Sequence, residues 1–154
     1  MKTPHSSKLF LGADHNGFLL KEQLKAALMR SGVTIHDCGA QTLDHDDDYP
    51  AVAANVARKV SKDRTSFGLL ICGSGNGMAM AANRFPGIRA ALAPAPGYAR
   101  KARQDEDANI LVLPAWWVTY AQAIRIVRMW LNTPFSGETR HKRRIAAFNR
   151  HSRG

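Results

Sequence analysis

The sequence predicts an α/β fold in three layers: five parallel strands in a doubly wound sheet, Rossmann- or flavodoxin-like, followed by a separate basic helix at the C-terminus. Three observations predict it. Short apolar runs alternate with longer amphipathic patterns along the chain. The runs are nearly continuous in Leu, Ile, Val and Ala, which suits strands covered on both faces. The 154 residues fit one sizeable core, so a single domain over 1–154 is expected.

The elements follow in order. KLFLGA (8–13) reads as a buried strand. In 17–31, Phe18, Leu20, Leu24, Ala27 and Leu28 recur at three- and four-residue steps, a helical stripe that Gly32 stops. VTIHDC (33–38) alternates as a second strand, and an Asp-rich loop runs on to Tyr49. Pro50 suits the first turn of a helix that AVAANVARKV continues. FGLLIC (67–72) is the third strand, and its glycine loop leads into a small-residue helix, MAMAANRF. A fourth strand over 88–93, a short helix over 98–105, a fifth strand over 108–114, a helix over 117–132 and the basic helix from 138 complete the chain. In the flavodoxin-like order 2-1-3-4-5, the topological switch point lies between the first and third strands at their carboxyl ends. That order brings Asp14 and His15 beside the loop from Cys72 to Gly77.

Composition narrows the functional classes. Hydrophobic residues make up 45% and charged ones 22%, ordinary for a globular protein. No apolar stretch approaches the roughly 18 residues of a membrane span. The short apolar run near the N-terminus ends at Asp14 and His15, too soon for an export signal, so a cytoplasmic location is expected. There Cys38 and Cys72 stay reduced, and their spacing is not that of a redox or zinc C-x-x-C pair. The net charge of +10 is uneven: 140–153 is crowded with arginine and lacks any acid, whereas 44–48 reads DHDDD. Such a tail suits a solvated terminal helix, a small phosphorylated molecule or a longer polyanion.

The stretch LLICGSGNGMAMAANRFPG (69–87) carries the densest chemistry. Gly73, Gly75 and Gly77 let the backbone turn sharply and present N–H groups at a helix start, an arrangement that binds anions or merely makes a tight turn. The spacing G-S-G-N-G after a third strand is not a dinucleotide fingerprint, and no Gly-Lys-Ser/Thr makes it a P-loop. Cys72 is either a packed thiol or a reactive one. A helix N-terminus stabilises its anion by about 0.3–1 kcal/mol, less than the roughly 1.36 kcal/mol of one pKa unit, so a thiolate needs further help. Asp14 can hold hydroxyls or pass protons, and His15 can bind phosphate or act as acid or base; a loop cap and a surface ring are the plain alternatives. The DHDDD run reads as a solvated loop, because contiguous carboxylates point in different directions; no metal site is expected.

Four segments in this order and spacing, GADHNGFLLKEQL, DYP, LLICGSGNGMAMAANRFPGIRAAL and ARQDEDANILVLP, resemble type B ribose-5-phosphate isomerases. These group with galactose-6-phosphate isomerase subunits in one sugar-phosphate isomerase family. The likeness covers roughly 8–148 of this chain. It implies interconversion of ribose 5-phosphate and ribulose 5-phosphate through a cis-enediolate, without metal or cofactor. By resemblance, Cys72 is the base that moves the proton between C1 and C2, and Ser74 assists proton transfer between the oxygens. The loop of Gly73, Gly75, Asn76 and Gly77 binds the enediolate. Asp14, His15 and Tyr49 contact substrate, and His15, Arg140 and Arg144 match phosphate ligands. The resemblance also implies a homodimer or a tetramer of dimers, with arginines reaching the partner's site. Neither a membrane nor nucleic acid is expected as a partner.

The departures are local. Asp105 and Glu106 stand where the family places a ring-opening His and an Asn, and Trp116 stands where it places an arginine. On the resemblance, Asp105 takes over the acid–base role and Glu106 faces substrate. These changes leave open another sugar of four to six carbons, phosphorylated or not. A non-catalytic protein that binds anions or nucleic acid is the remaining alternative.

Overall fold

The computed structural model describes residues 7–151; residues 1–6 and 152–154, including the end of the basic tail, lie outside the described residues. Five strands, β1 (Lys8–Ala13), β2 (Thr34–Asp37), β3 (Phe67–Cys72), β4 (Ala90–Leu92) and β5 (Ile110–Pro114), form one parallel sheet. Six helices accompany them: α1 (Phe18–Arg30), α2 (Tyr49–Lys62), α3 (Asn76–Ala82), α4 (Pro96–Glu106), α5 (Tyr120–Asn132) and α6 (Thr139–His151). No helix among the described residues is long and apolar enough to cross a membrane.

The central strands are buried because both faces are covered. Leu20, Leu24 and Leu28 of α1 join Ile126, Val127 and Trp130 of α5 on one face. Val56 and Ala57 of α2 join Met78 of α3 on the other. Every residue of β5 is buried. By contrast, β2 alternates between exposed and half-buried residues, as an edge strand should.

The strand order is β2-β1-β3-β5-β4, which corrects the expected 2-1-3-4-5. Cys72 lies opposite Pro114 of β5, and β4 takes the outer edge. A fully apolar five-residue strand gains most from two neighbours, whereas β4 is only three residues long and half-buried. Its predicted start at 88 is lost to a turn, in which Arg89 donates to the carbonyls of Glu106 and Asp107. The exchange leaves the switch point between β1 and β3 intact. Asp14 donates its backbone N–H to Ile71 O at 3.2 Å, so the ends of these strands are tied together.

One close approach holds α1 against that point. A Cβ placed on Gly17 would lie 2.4 Å from Ile71 O and 2.7 Å from its carbonyl carbon. Backbone atoms cannot swing aside as a side chain can. Gly17→Ala should therefore destabilise the fold by about 1–3 kcal/mol, a fall in Tm of roughly 3–10 °C. A thermal melt of the variant within one degree of the parent would refute this contact.

Candidate active site

The carboxyl ends of β1 and β3 carry two acids with raised pKa values. Asp14 follows β1 directly and is buried; its Oδ1 accepts from the Gly17 N–H at 3.1 Å. Burial pushes its carboxyl above the ordinary range, against the opposing Gly17 donor and the His15 charge. Cys72 ends β3 and is 5% exposed. Burial pushes its thiol up, and the negative charge of Asp14 adds to this, while N–H groups of Met78 and Gly75 pull the other way. The resting thiol at neutral pH is protonated.

The glycine loop wraps around that sulfur. Gly75 adopts a left-handed conformation, φ +80°, as it caps α3, and its N–H donates to Cys72 Sγ at 3.2 Å. This donor steadies a thiolate instead of facing a ligand. Asn76 donates its N–H to Ser74 Oγ at 3.3 Å, which leaves the Ser74 proton free to point outward. Two aromatic rings bracket the loop: the Trp116 indole lies against Gly73, and the Tyr49 ring lies against Gly77. The indole is 62% exposed, so the rim of the site offers a flat apolar surface where the family resemblance implied a cation.

His15 sits on the same rim, and its partner was not foreseen. Asp47 Oδ1 accepts both the His15 backbone N–H at 3.0 Å and Nδ1 at 2.7 Å. That hydrogen bond raises the imidazole pKa, against a smaller lowering by desolvation. The acidic loop is therefore not uniformly solvated. Asp44 caps a turn through the Asp46 N–H, while Asp47 turns inward. A run of four acids around His45 gave no local signal as to which would do so.

Four expected site residues are not brought to this place within one chain. Asp105 and Glu106 end α4, five and four residues before β5 begins, so they lie at the amino-terminal edge of the sheet. The strand between spans roughly 13 Å at about 3.3 Å per residue. There Asp105 pairs with Lys101 at 3.3 Å and approaches His141 of α6 at 4.0 Å. Arg140 and Arg144 lie on that same helix, both exposed, with Arg140 paired to Glu138 at 2.8 Å. Beside them Glu106, Arg84, Phe85 and Phe148 line a groove of about 450 Å³. The chain thus carries two separate chemical surfaces at opposite sheet edges.

Comparisons with known proteins agree with this architecture. The sequence profile of the Ribose/Galactose Isomerase family matches residues 9–148. Ribose-5-phosphate isomerase B of Mycolicibacterium paratuberculosis is 43% identical over 138 residues, 90% of this chain and 87% of that protein. The Escherichia coli protein of the same name is 39% identical, covering 91% of this chain and 93% of its own. Among solved structures, ribose-5-phosphate isomerase B from Mycoplasma genitalium with bound ribulose-5-phosphate superposes with a TM-score of 0.92 at 39% identity, covering 96% of this chain and 97% of that one. The ribose 5-phosphate isomerase of Thermotoga maritima gives 0.91 at 42% identity, covering 95% and 99%. With that profile spanning nearly all of the described residues, the chain belongs to the Ribose/Galactose Isomerase family.

Proposed function

We propose that this protein is an aldose–ketose isomerase that interconverts ribose 5-phosphate and ribulose 5-phosphate, with Cys72 as the base. The observation that carries this reading is the buried thiol at the switch point, held by the Gly75 N–H at 3.2 Å and wrapped by the glycine loop. The thiolate removes the C2 proton of the open-chain aldose, and the electron pair forms the C1–C2 double bond of a cis-enediolate. Charge on O1 is met by loop N–H groups fixed before the reaction begins. The O2 proton passes to O1 through Ser74 or Asp14, and Cys72 returns its proton to C1, leaving a ketone at C2. Asp14 suits such a relay because burial holds its carboxyl above the ordinary range, which favours the protonated form that a relay passes through. The reading uses one domain in the cytoplasm and calls on no cofactor.

The phosphate-binding half is supplied by a second copy. Arg140, Arg144, Asp105 and Glu106 lie at the opposite sheet edge from Cys72, so a complete site needs the edge of one protomer against the switch point of another. A homodimer meets that need, and its two sites would be equivalent. Complementation tests it. Cys72→Ala protein and Arg140→Ala/Arg144→Ala protein should each be nearly inactive, and mixing them after unfolding and refolding should restore part of the activity. No recovery, with both variants folded and dimeric, would place each site within one chain.

One observation favours a second reading of the sugar. The exposed Trp116 indole at the rim offers stacking to carbon–hydrogen faces in place of a cation. A panel of aldose phosphates of four to six carbons decides. Ribose 5-phosphate should give the highest kcat/KM, and a tenfold preference for a tetrose or hexose phosphate would move the assignment to that sugar.

A further inference from the structure

We propose that Asp47 is a positioning residue that grips His15 by two points and aims the other edge of a cationic imidazole, Nε2–H, at the anionic end of the substrate. The inference rests on the sugar-phosphate reading above and extends it to an acid that the sequence pattern left in solvent. Its basis is geometric. One oxygen of Asp47 takes both the His15 backbone N–H and Nδ1, which leaves the ring little freedom to turn. A carboxylate only accepts, so Nδ1 carries a proton and Nε2 is the edge left to face a ligand.

The second observation is the other carboxylate oxygen. Asp47 Oδ2 is buried and has no hydrogen-bond partner among the described residues. A carboxylate so enclosed, with only a neutral imidazole beside it, would be poorly compensated; a protonated ring supplies the missing charge. The neighbours point the same way. Asp14 and Asp44 also favour a proton on His15, and the His45 ring lies 6.1 Å away. Asn16 Nδ2 sits 3.0 Å from Nε2. A half-turn of that amide presents its oxygen to Nε2–H instead. Asn16 therefore holds the position that a substrate oxygen would take, on the exposed side of the ring.

A ring held as a cation is a poor base but a good anion ligand. The ligand class this selects is a phosphate monoester, whose dianion predominates at neutral pH and whose oxygens accept from Nε2–H. His15 would then provide charge on the rim where Trp116 provides none.

The test uses the full chain and Asp47→Asn, which keeps the side-chain volume. Imidazole NMR should show the His15 titration midpoint lowered by about 1–3 pH units, and Asp47→Glu should recover much of it. With ribose 5-phosphate, the KM of Asp47→Asn should rise about tenfold over the parent at alkaline pH and much less at acid pH, once the variant's ring is protonated as well, while kcat changes little. In a His15→Gln background the same substitution should leave KM unchanged. An unmoved His15 midpoint, or an equal rise in KM at both pH values, would overturn the proposal. Should the parent fail to turn over ribose 5-phosphate, the function falls separately. The midpoint, and the shift of the His15 signals on adding inorganic phosphate, then still decide the role of Asp47.

Discussion

Cys72→Ala should lose isomerase activity by about 10²–10⁴-fold, the usual worth of a positioned general base, while the protein stays folded. The loss should appear in kcat, and exchange of the substrate C2 proton with solvent deuterium should stop with it. The pH profile separates a base from a merely packed thiol. Burial and the Asp14 charge hold the Cys72 thiol above its ordinary value, so the reactive thiolate is scarce at neutral pH. In the parent, kcat/KM should therefore climb as pH rises above neutrality and level off once the thiol has ionised. Cys72→Ser should remove that limb, because a serine hydroxyl does not ionise in the range. Full activity in Cys72→Ala, or a retained alkaline limb in Cys72→Ser, would sink the assignment.

Asp37→Ala should be the most destabilising change away from the site. Lys21 is fully buried, and its ammonium donates to both oxygens of Asp37, at 3.0 and 2.8 Å, and to Ala40 O at 2.7 Å. Lys25 reaches the same carboxylate at 2.7 Å. Removing Asp37 takes from a buried cation its main counter-charge, which costs about 3–5 kcal/mol, or a fall in Tm of roughly 6–20 °C. The double variant Lys21→Met/Asp37→Leu should recover much of that loss, since the buried ammonium goes with its partner and Lys25 keeps Glu22 at 2.8 Å. A melt of Asp37→Ala within two degrees of the parent would show the pair to be idle.

The same pair sets an acid limit. Burial pushes the Asp37 carboxyl up, but hydrogen bonds from Lys21 and Lys25 outweigh it and hold the pKa below the ordinary range. Because the folded value is depressed, the stability it contributes is complete above the unfolded pKa of about 3.9. It is lost as pH falls through the folded value, so the parent should unfold in acid over a window that Asp37→Ala lacks. Lys21 also bears on the site. Its bond to Ala40 O anchors the beginning of the loop that delivers Asp47 to His15.

Much of the fold was legible because a strand covered on both faces must be apolar throughout, and 67–72 and 110–114 are. Helix starts were less legible. Trp117 read as the beginning of α5, yet it occupies an exposed turn in which it donates to Pro114 O at 2.9 Å, and Thr119 caps the helix with Gln122. The short fourth strand looked as apolar as the fifth, and nothing local ranks two such runs as centre and edge. Their order follows from how much surface each can bury between neighbours, a property of the assembled sheet.

The site divides the same way. The sequence by itself determined the glycine loop, with Cys72, its glycines and Ser74 together, because these are consecutive residues whose spacing is their geometry. It also determined that Asp14 would come beside Cys72, since parallel strands flanking a switch point end side by side. Only the tertiary structure decided that Asp47, among the acids of 44–48, turns inward to His15. Only it placed Arg140 and Arg144 beside Asp105 and Glu106, through the packing of α6 on α4 at the far edge of the sheet. Neither outcome is encoded in spacing along the chain: which acid is desolvated, and where a terminal helix docks, depends on long-range packing that forms when the layers close.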